Sequence, residues 1–232
     1  MYIVQPNHIQ KGFMSKMKLS VFVLSMLSAT AFAQNAEKII ETHIQKTGGE
    51  AAWNNLNSII LKGEAIINVG DSYSMIVFHE RPYNKKVVFI MNGKEILNEG
   101  YDGKNGWTYS EVAKKNVVVP DYKPDAFDSD VLKYQQKGFK VKYVGVDPKN
   151  NCYKVELTKN ANSTLYCFDK NSYEIVMEKN KEETLYYSNF KSFNGLSFAT
   201  KVVGKPTDGG EYIIKFNDIK INPAIDKKNF KF

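Results

Sequence analysis

In residues 83–91, "YNKKVVFIM", a two-residue alternation sets Val87, Phe89 and Met91 on one side of a strand and Val88 and Ile90 on the other. Both sides are apolar. In "SIILKGEAIINV", Ile59, Leu61, Ala65, Ile67 and Val69 oppose Ile60 and Ile66; in "YSMIVFHE", Tyr73, Met75 and Val77 oppose Ile76 and Phe78. Further along, the alternation is cleaner. Tyr153, Val155 and Leu157 stand against Lys154 and Glu156, one face for a core and one for water. This period predicts strands over 58–69, 73–81, 85–92, 94–99, 106–111, 116–119, 139–146, 153–158, 164–168, 173–179, 184–190, 197–203 and 211–221. Turn signals separate nearly all of them, among them Asp147-Pro148, Lys159-Asn160, Asn194-Gly195 and Asp208-Gly209-Gly210.

Three segments change to a helical period. "NAEKIIETHIQKTGG" spaces Ile39, Ile40 and Ile44 along one stripe and stops at Gly48-Gly49. "EAAWNNL" reads as a short second helix carrying Trp53 and Leu56, and "DAFDSDVLKYQQKG", after Pro120 and Pro124, as a third with Phe127, Val131, Leu132 and Tyr134 on its apolar side. The fold class expected is mainly β with a few helices: about eleven antiparallel strands in one curled sheet. A sheet apolar on both faces must be covered on both, and three helices reach only one. Either the sheet curls around helices or an apolar cavity, or the core is thick and solid; the pattern is compatible with both.

Composition confirms a globular chain of one domain: 232 residues, 43% hydrophobic and 25% charged. The N-terminus stands apart from it. From Met17, "MKLSVFVLSMLSATAFAQ" places a lysine before an apolar run from Leu19 to Leu27, ending in Ala31-Phe32-Ala33. This is the layout of a secretory signal peptide cleaved after Ala33, with a run too short to span a bilayer; its flanks argue against a buried N-terminal helix. Residues 1–16 read as an upstream extension, 17–33 as the signal and 34–232 as the mature domain. No cysteine follows the cleavage site, so a soluble exported chain is expected. Removing Lys11, Lys16 and Lys18 lowers the formal charge from +7 to +4, spread along the chain, which disfavours nucleic acid as a partner.

Cys152 and Cys167 flank "YKVELTKNANSTLY", a strand–turn–strand. In a hairpin centred on Lys159-Asn160 they sit directly opposite each other, and export permits a disulfide. Such a bridge is strained, so two buried thiols are an equal alternative. Without a neighbouring histidine the pair is not a metal site. The mature histidines, His43 and His79, have no ligand spacing; "GDSYS" misses the nucleophile elbow, and no glycine-rich loop opens a helix. With no catalytic constellation and no cofactor motif, a non-enzymatic binding protein is expected.

"HERPYNKKVVFIMNGKEILNEGYDGKNGWTY" holds Arg81-Pro82 at a strand end and, 21 residues after Arg81, Asp102-Gly103-Lys104 followed by Trp107 and Tyr109. In this order, with an export signal, a first helix ending in Gly-Gly and the closing "DIKINPAID", the chain resembles the LolA/LolB-like family of outer-membrane lipoprotein-sorting proteins over residues 36–232. The resemblance implies a half-open barrel lidded by helices, enclosing a cavity for acyl chains. It gives Arg81, the single arginine of the chain, the family's role of hydrogen-bonding to the lid; a surface arginine at a strand end is the alternative. Its guanidinium carries five donors and cannot deprotonate. The ligand-binding candidates are Arg81, Trp107, Tyr109, Phe89, Met91 and Met75. Asp102-Gly103-Lys104 itself reads as a hairpin turn, with Trp107 lining the pocket or packing beneath a helix.

The implied function is a periplasmic carrier of lipoprotein or lipid cargo towards the outer membrane, with membrane donor and acceptor proteins as partners and transient membrane contact. Neither an exposed leucine loop nor a lipid anchor is recognisable, so a LolA-type carrier is expected rather than an anchored receptor. Two other readings compete: a non-catalytic envelope protein using the curved sheet as an interaction platform, and a hydrolase in which His43 or His79 meets a nucleophile.

Overall fold

The computed structural model describes residues 35–68, 71–122, 124 and 129–232. The expected signal peptide, its cleavage point and the upstream extension lie outside these residues, as do Val69 and Phe127.

Helix α1 (35–46) and helix α2 (Glu50–Asn54) come first. Strands β1 (Ser58–Asn68), β2 (Asp71–Glu80), β3 (Asn84–Met91), β4 (Lys94–Tyr101), β5 (Gly106–Ser110) and β6 (Lys115–Val119) follow. After the 120–139 connection come β7 (Lys140–Asp147), β8 (Cys152–Lys159), β9 (Asn162–Asp169), β10 (Ile175–Lys179), β11 (Glu183–Phe193), β12 (Leu196–Pro206) and β13 (Tyr212–Ile221). A 3-10 helix, Lys227–Phe230, ends the chain. All thirteen strands lie in one antiparallel sheet, ordered β6-β5-β4-β3-β2-β1-β13-β12-β11-β10-β9-β8-β7. The count exceeds the eleven expected because every alternating segment pairs, including the five-residue β5, β6 and β10. β6 and β7 end the order and do not pair with each other, so the barrel is not closed.

Among the described residues of the third expected helix, no helix forms. Residues 130–138 form successive turns, in which Lys133 takes a left-handed φ of 55° that an α-helix does not accommodate. Two of its apolar residues still find the core: Val131 is fully buried, and Tyr134 packs beside it.

Register assigns the faces. Tyr166 pairs with Glu178, Glu178 with Leu185, Tyr187 with Val202, Val202 with Ile214, and Ile214 with Ala65, so these residues share one face across the middle of the sheet. On this face α1 lays Ala36, Ile39 and Ile40 over Val155, Leu157, Tyr166 and Phe168. Gly48, just past α1, must be glycine: its φ is +143°, and a Cβ there would lie 2.6 Å from Leu196 Cδ2. Farther along, Ala65, Met75 and Val87 form a second apolar cluster with Val77, Phe89 and Ile214.

One end of the opposite face of the N-terminal half is covered by the chain's own C-terminus, a cover that alternation alone does not reveal. Asn222 Oδ1 accepts from the Asn57 backbone N–H at 2.7 Å, and Ser58 Oγ donates to the Pro223 carbonyl at 2.7 Å. Lys227 pairs with Glu80, Asp226 caps the 3-10 helix, and Phe230 is 4% exposed. Phe232 finally lies over Gly100, where a Cβ would come within 2.6 Å of its ring.

The β8–β9 hairpin turns at Asn160-Ala161, one residue beyond the expected centre, since Lys159 pairs with Asn162. Cys152 therefore faces Asp169, and Cys167 faces Lys154. The cysteines are diagonal rather than directly opposite, with Cα atoms 5.5 Å apart, and they are joined as a disulfide.

Candidate functional site

Arg81 follows directly on β2, on the helix-bearing face that His79 shares with Ile59. Its backbone N–H donates to the Asn57 carbonyl at 2.9 Å, and its Nη2 donates to the Trp53 carbonyl in α2, also at 2.9 Å. From α2 the polar chain continues towards α1. Trp53 Nε1 donates to Thr47 Oγ1 at 3.1 Å, Thr47 Oγ1 donates to the His43 carbonyl, and Ser197 N–H donates to the Thr47 carbonyl. The Trp53 ring meets Phe198 edge-on at 5.5 Å. A charge-assisted donor from the sheet thus holds the helical cover at its α2 end.

Beside Arg81 opens a cleft of about 1290 Å³. One side is Arg81-Pro82-Tyr83; others are the β8–β9 tip (159–164), the β10–β11 turn (179–182), and Phe139 and Lys137. β2 and β10 are separated in the sheet order by β1, β13, β12 and β11. Only a curled sheet brings their ends to one cleft, and this curl is what creates the open volume. The volume exceeds the roughly 300–1,000 Å³ of ordinary small-molecule sites. Among its lining residues, Tyr83, Pro124, Phe139 and Leu165 are buried or half-buried, while Lys159, Lys179 and Lys181 are exposed.

The remaining candidates scatter. Met75, 5% exposed, and Phe89 belong to the second apolar cluster, and Phe89 also meets Tyr73 edge-on. Neither lines this cleft. Met91 is 40% exposed at the far end of β3, and Tyr109 is half-buried on β5. Trp107 pairs with Gly100, on the face away from the helices, and packs against Phe232 with ring centres 6.2 Å apart. It lines a separate cleft of about 490 Å³ with Asp102, Lys104 and the C-terminal residues. Asp102 closes its turn as expected: one carboxylate oxygen accepts from the Lys104 and Asn105 backbone N–H groups, the other from Trp107 Nε1 at 3.0 Å. These hydrogen bonds hold its carboxyl below the usual carboxylate range against the opposing effect of burial. The cleft-lining tips at 159–164 and 179–182 escaped sequence reasoning, because they are far from Arg81 both in sequence and in strand order.

His43 sits on α1 with Nδ1–H donating to the Tyr173 carbonyl at 2.7 Å and its ring edge-on to Phe168. Burial lowers its pKa to about 4. His79 falls to about 4 through burial, aided by Lys85. Asp147, Cys152 and Cys167 lie close together, but the sulfurs are bonded to each other and offer no thiolate to a metal.

This is a large unclosed antiparallel sheet, curled over a cleft and covered by helices on one face. It is the LolA-like fold. Three crystal structures of this architecture cover 84–85% of the chain. A lipoprotein-sorting protein domain (putative outer membrane) from Vibrio parahaemolyticus aligns at TM-score 0.58 and 12% identity over 85% of this chain and 97% of its own. A LolA superfamily protein from Nitrosomonas europaea aligns at 0.54 and 14%, over 85% and 97%. A DUF1329 family protein from Desulfovibrio piger aligns at 0.58 and 11%, over 84% and 97%. The sequence matches no protein-family model and no curated protein. No described helix is long and apolar enough to cross a membrane.

Proposed function

We propose that the protein is an exported, periplasmic carrier that shelters the acyl chains of lipoproteins or other lipids in the curled sheet and hands them on towards the outer membrane. The observation that carries this reading is the cleft of about 1290 Å³ beside Arg81, at the edge of the helical cover. Apolar surface recessed there, from Tyr83 and Phe139, takes a hydrocarbon chain out of water at about 0.8 kcal/mol per methylene. Arg81 is the latch: its hydrogen bond to the Trp53 carbonyl keeps α2 closed, and breaking it loosens the cover for delivery. The fold shared with a lipoprotein-sorting domain and a LolA superfamily protein agrees with this reading.

Native mass spectrometry of the mature chain purified from bacterial membrane extracts tests it directly. A carrier emerges with lipid or lipoprotein bound and takes up a fluorescent fatty acid afterwards. Purely apo protein that takes up no acyl probe removes the carrier reading and leaves the interaction platform.

A further inference from the structure

The cleft is amphiphilic in a particular sense. Its described charged lining comprises Arg81, Lys137, Lys159, Lys179 and Lys181 against Asp130, Glu178 and Glu182, a cationic excess. Two of the acids are engaged: Glu178 Oε2 accepts from Tyr187 Oη at 3.1 Å, and Glu182 stands 3.9 Å from Lys181. That last pair is exposed on both sides and contributes little. Lys159 extends over the Phe139 ring with its ammonium 5.4 Å from the ring centre, which places a cation directly above an apolar lining group. Neighbouring strands supply this arrangement. β9 lies between β8 and β10, so the β8–β9 tip and the β10–β11 turn stand side by side and bring Lys159, Lys179 and Lys181 to one end of the cleft.

We propose that the cleft selects amphiphiles with an anionic head group: the acyl part lies against Tyr83 and Phe139, and the anion is met by Lys159, Lys179 and Lys181. This rests on the carrier reading and adds to it the chemistry of the cargo. A phosphate-bearing or carboxylate-bearing head satisfies it equally, and a cationic or zwitterionic head does not.

The test compares binding of a lysophosphatidylglycerol, a lysophosphatidylcholine of the same acyl chain, and inorganic phosphate alone, at low and high salt. The comparison is repeated for the variant carrying Lys159→Gln, Lys179→Gln and Lys181→Gln. All three lysines are exposed, so the variant should fold, which circular dichroism checks. The proposal expects the anionic lipid to bind about tenfold tighter than the zwitterionic one, since three exposed charge contacts sum to about that factor. This preference should fade with salt and disappear in the triple variant, which binds the two lipids alike. Equal affinity for both lipids overturns the head-group inference and leaves the carrier reading standing. Binding of neither lipid overturns both. Inorganic phosphate binding as tightly as the anionic lipid overturns the amphiphile and reduces the site to an anion site.

Discussion

Arg81 is the one arginine of the chain, and its guanidinium reaches the Trp53 carbonyl rather than solvent. Arg81→Leu removes a charge-assisted hydrogen bond of roughly 1.5–3 kcal/mol. If that bond is the latch, release of a fluorescent acyl probe should accelerate by tenfold or more in stopped-flow, with a smaller change in thermal midpoint; unchanged release refutes the latch. The histidines make a second prediction. Both have folded pKa values of about 4 against an ordinary 6.5, so between these values the unfolded chain binds protons that the folded one does not. Stability is therefore complete above about pH 6.5 and is lost as pH falls towards 4, by at most about 3 kcal/mol for each histidine. Urea unfolding at pH 7 and pH 4.5 measures the loss, and His43→Gln should halve the slope between them. A slope unchanged in that variant means that other groups carry it.

At the scale of elements, the C-terminal strap and the disulfide are the two ties. Gly100→Val would push Phe232 off the sheet, because the added carbons occupy the space of its ring. In a Trp53→Phe background, Trp107 emission should then shift to the red as its partner leaves; an unshifted spectrum shows that the strap tolerates the change. Replacing Cys152 and Cys167 by alanine opens a crosslink of sequence separation 15 and should cost about 3 kcal/mol by denaturant unfolding. The strands were legible in the sequence because a two-residue period records directly which side chains must leave water. The turns at 130–138 were not, since the apolar spacing there fits a helix while Lys133 turns left-handed. The cysteine register failed by one residue in the hairpin centre, because Asn160, with a φ of 55°, takes the first turn position instead of the second.

For the molecule as a whole, the cleft should register as ligand-linked stability. A cargo at a hundredfold its dissociation constant adds about 2.7 kcal/mol, which for a chain of this size raises the thermal midpoint by about 5–10 °C. Differential scanning fluorimetry with an acyl ligand and with its bare head group checks this, and equal shifts from the two would remove the acyl chain from the explanation. Local periodicity and side-chain chemistry alone specify the strands, the first two helices, the Asp102 turn and the singular Arg81. That Trp107 packs under the C-terminus, and that Met75 and Phe89 fill a core, emerges only once the sheet has folded. It also follows from the curl that the tips at 159–164 and 179–182 line one cleft with Arg81. Those outcomes depend on how far a thirteen-stranded sheet twists and curls before its faces are covered. That curl is the sum of small rotations at every strand pair, and no short stretch of residues encodes it.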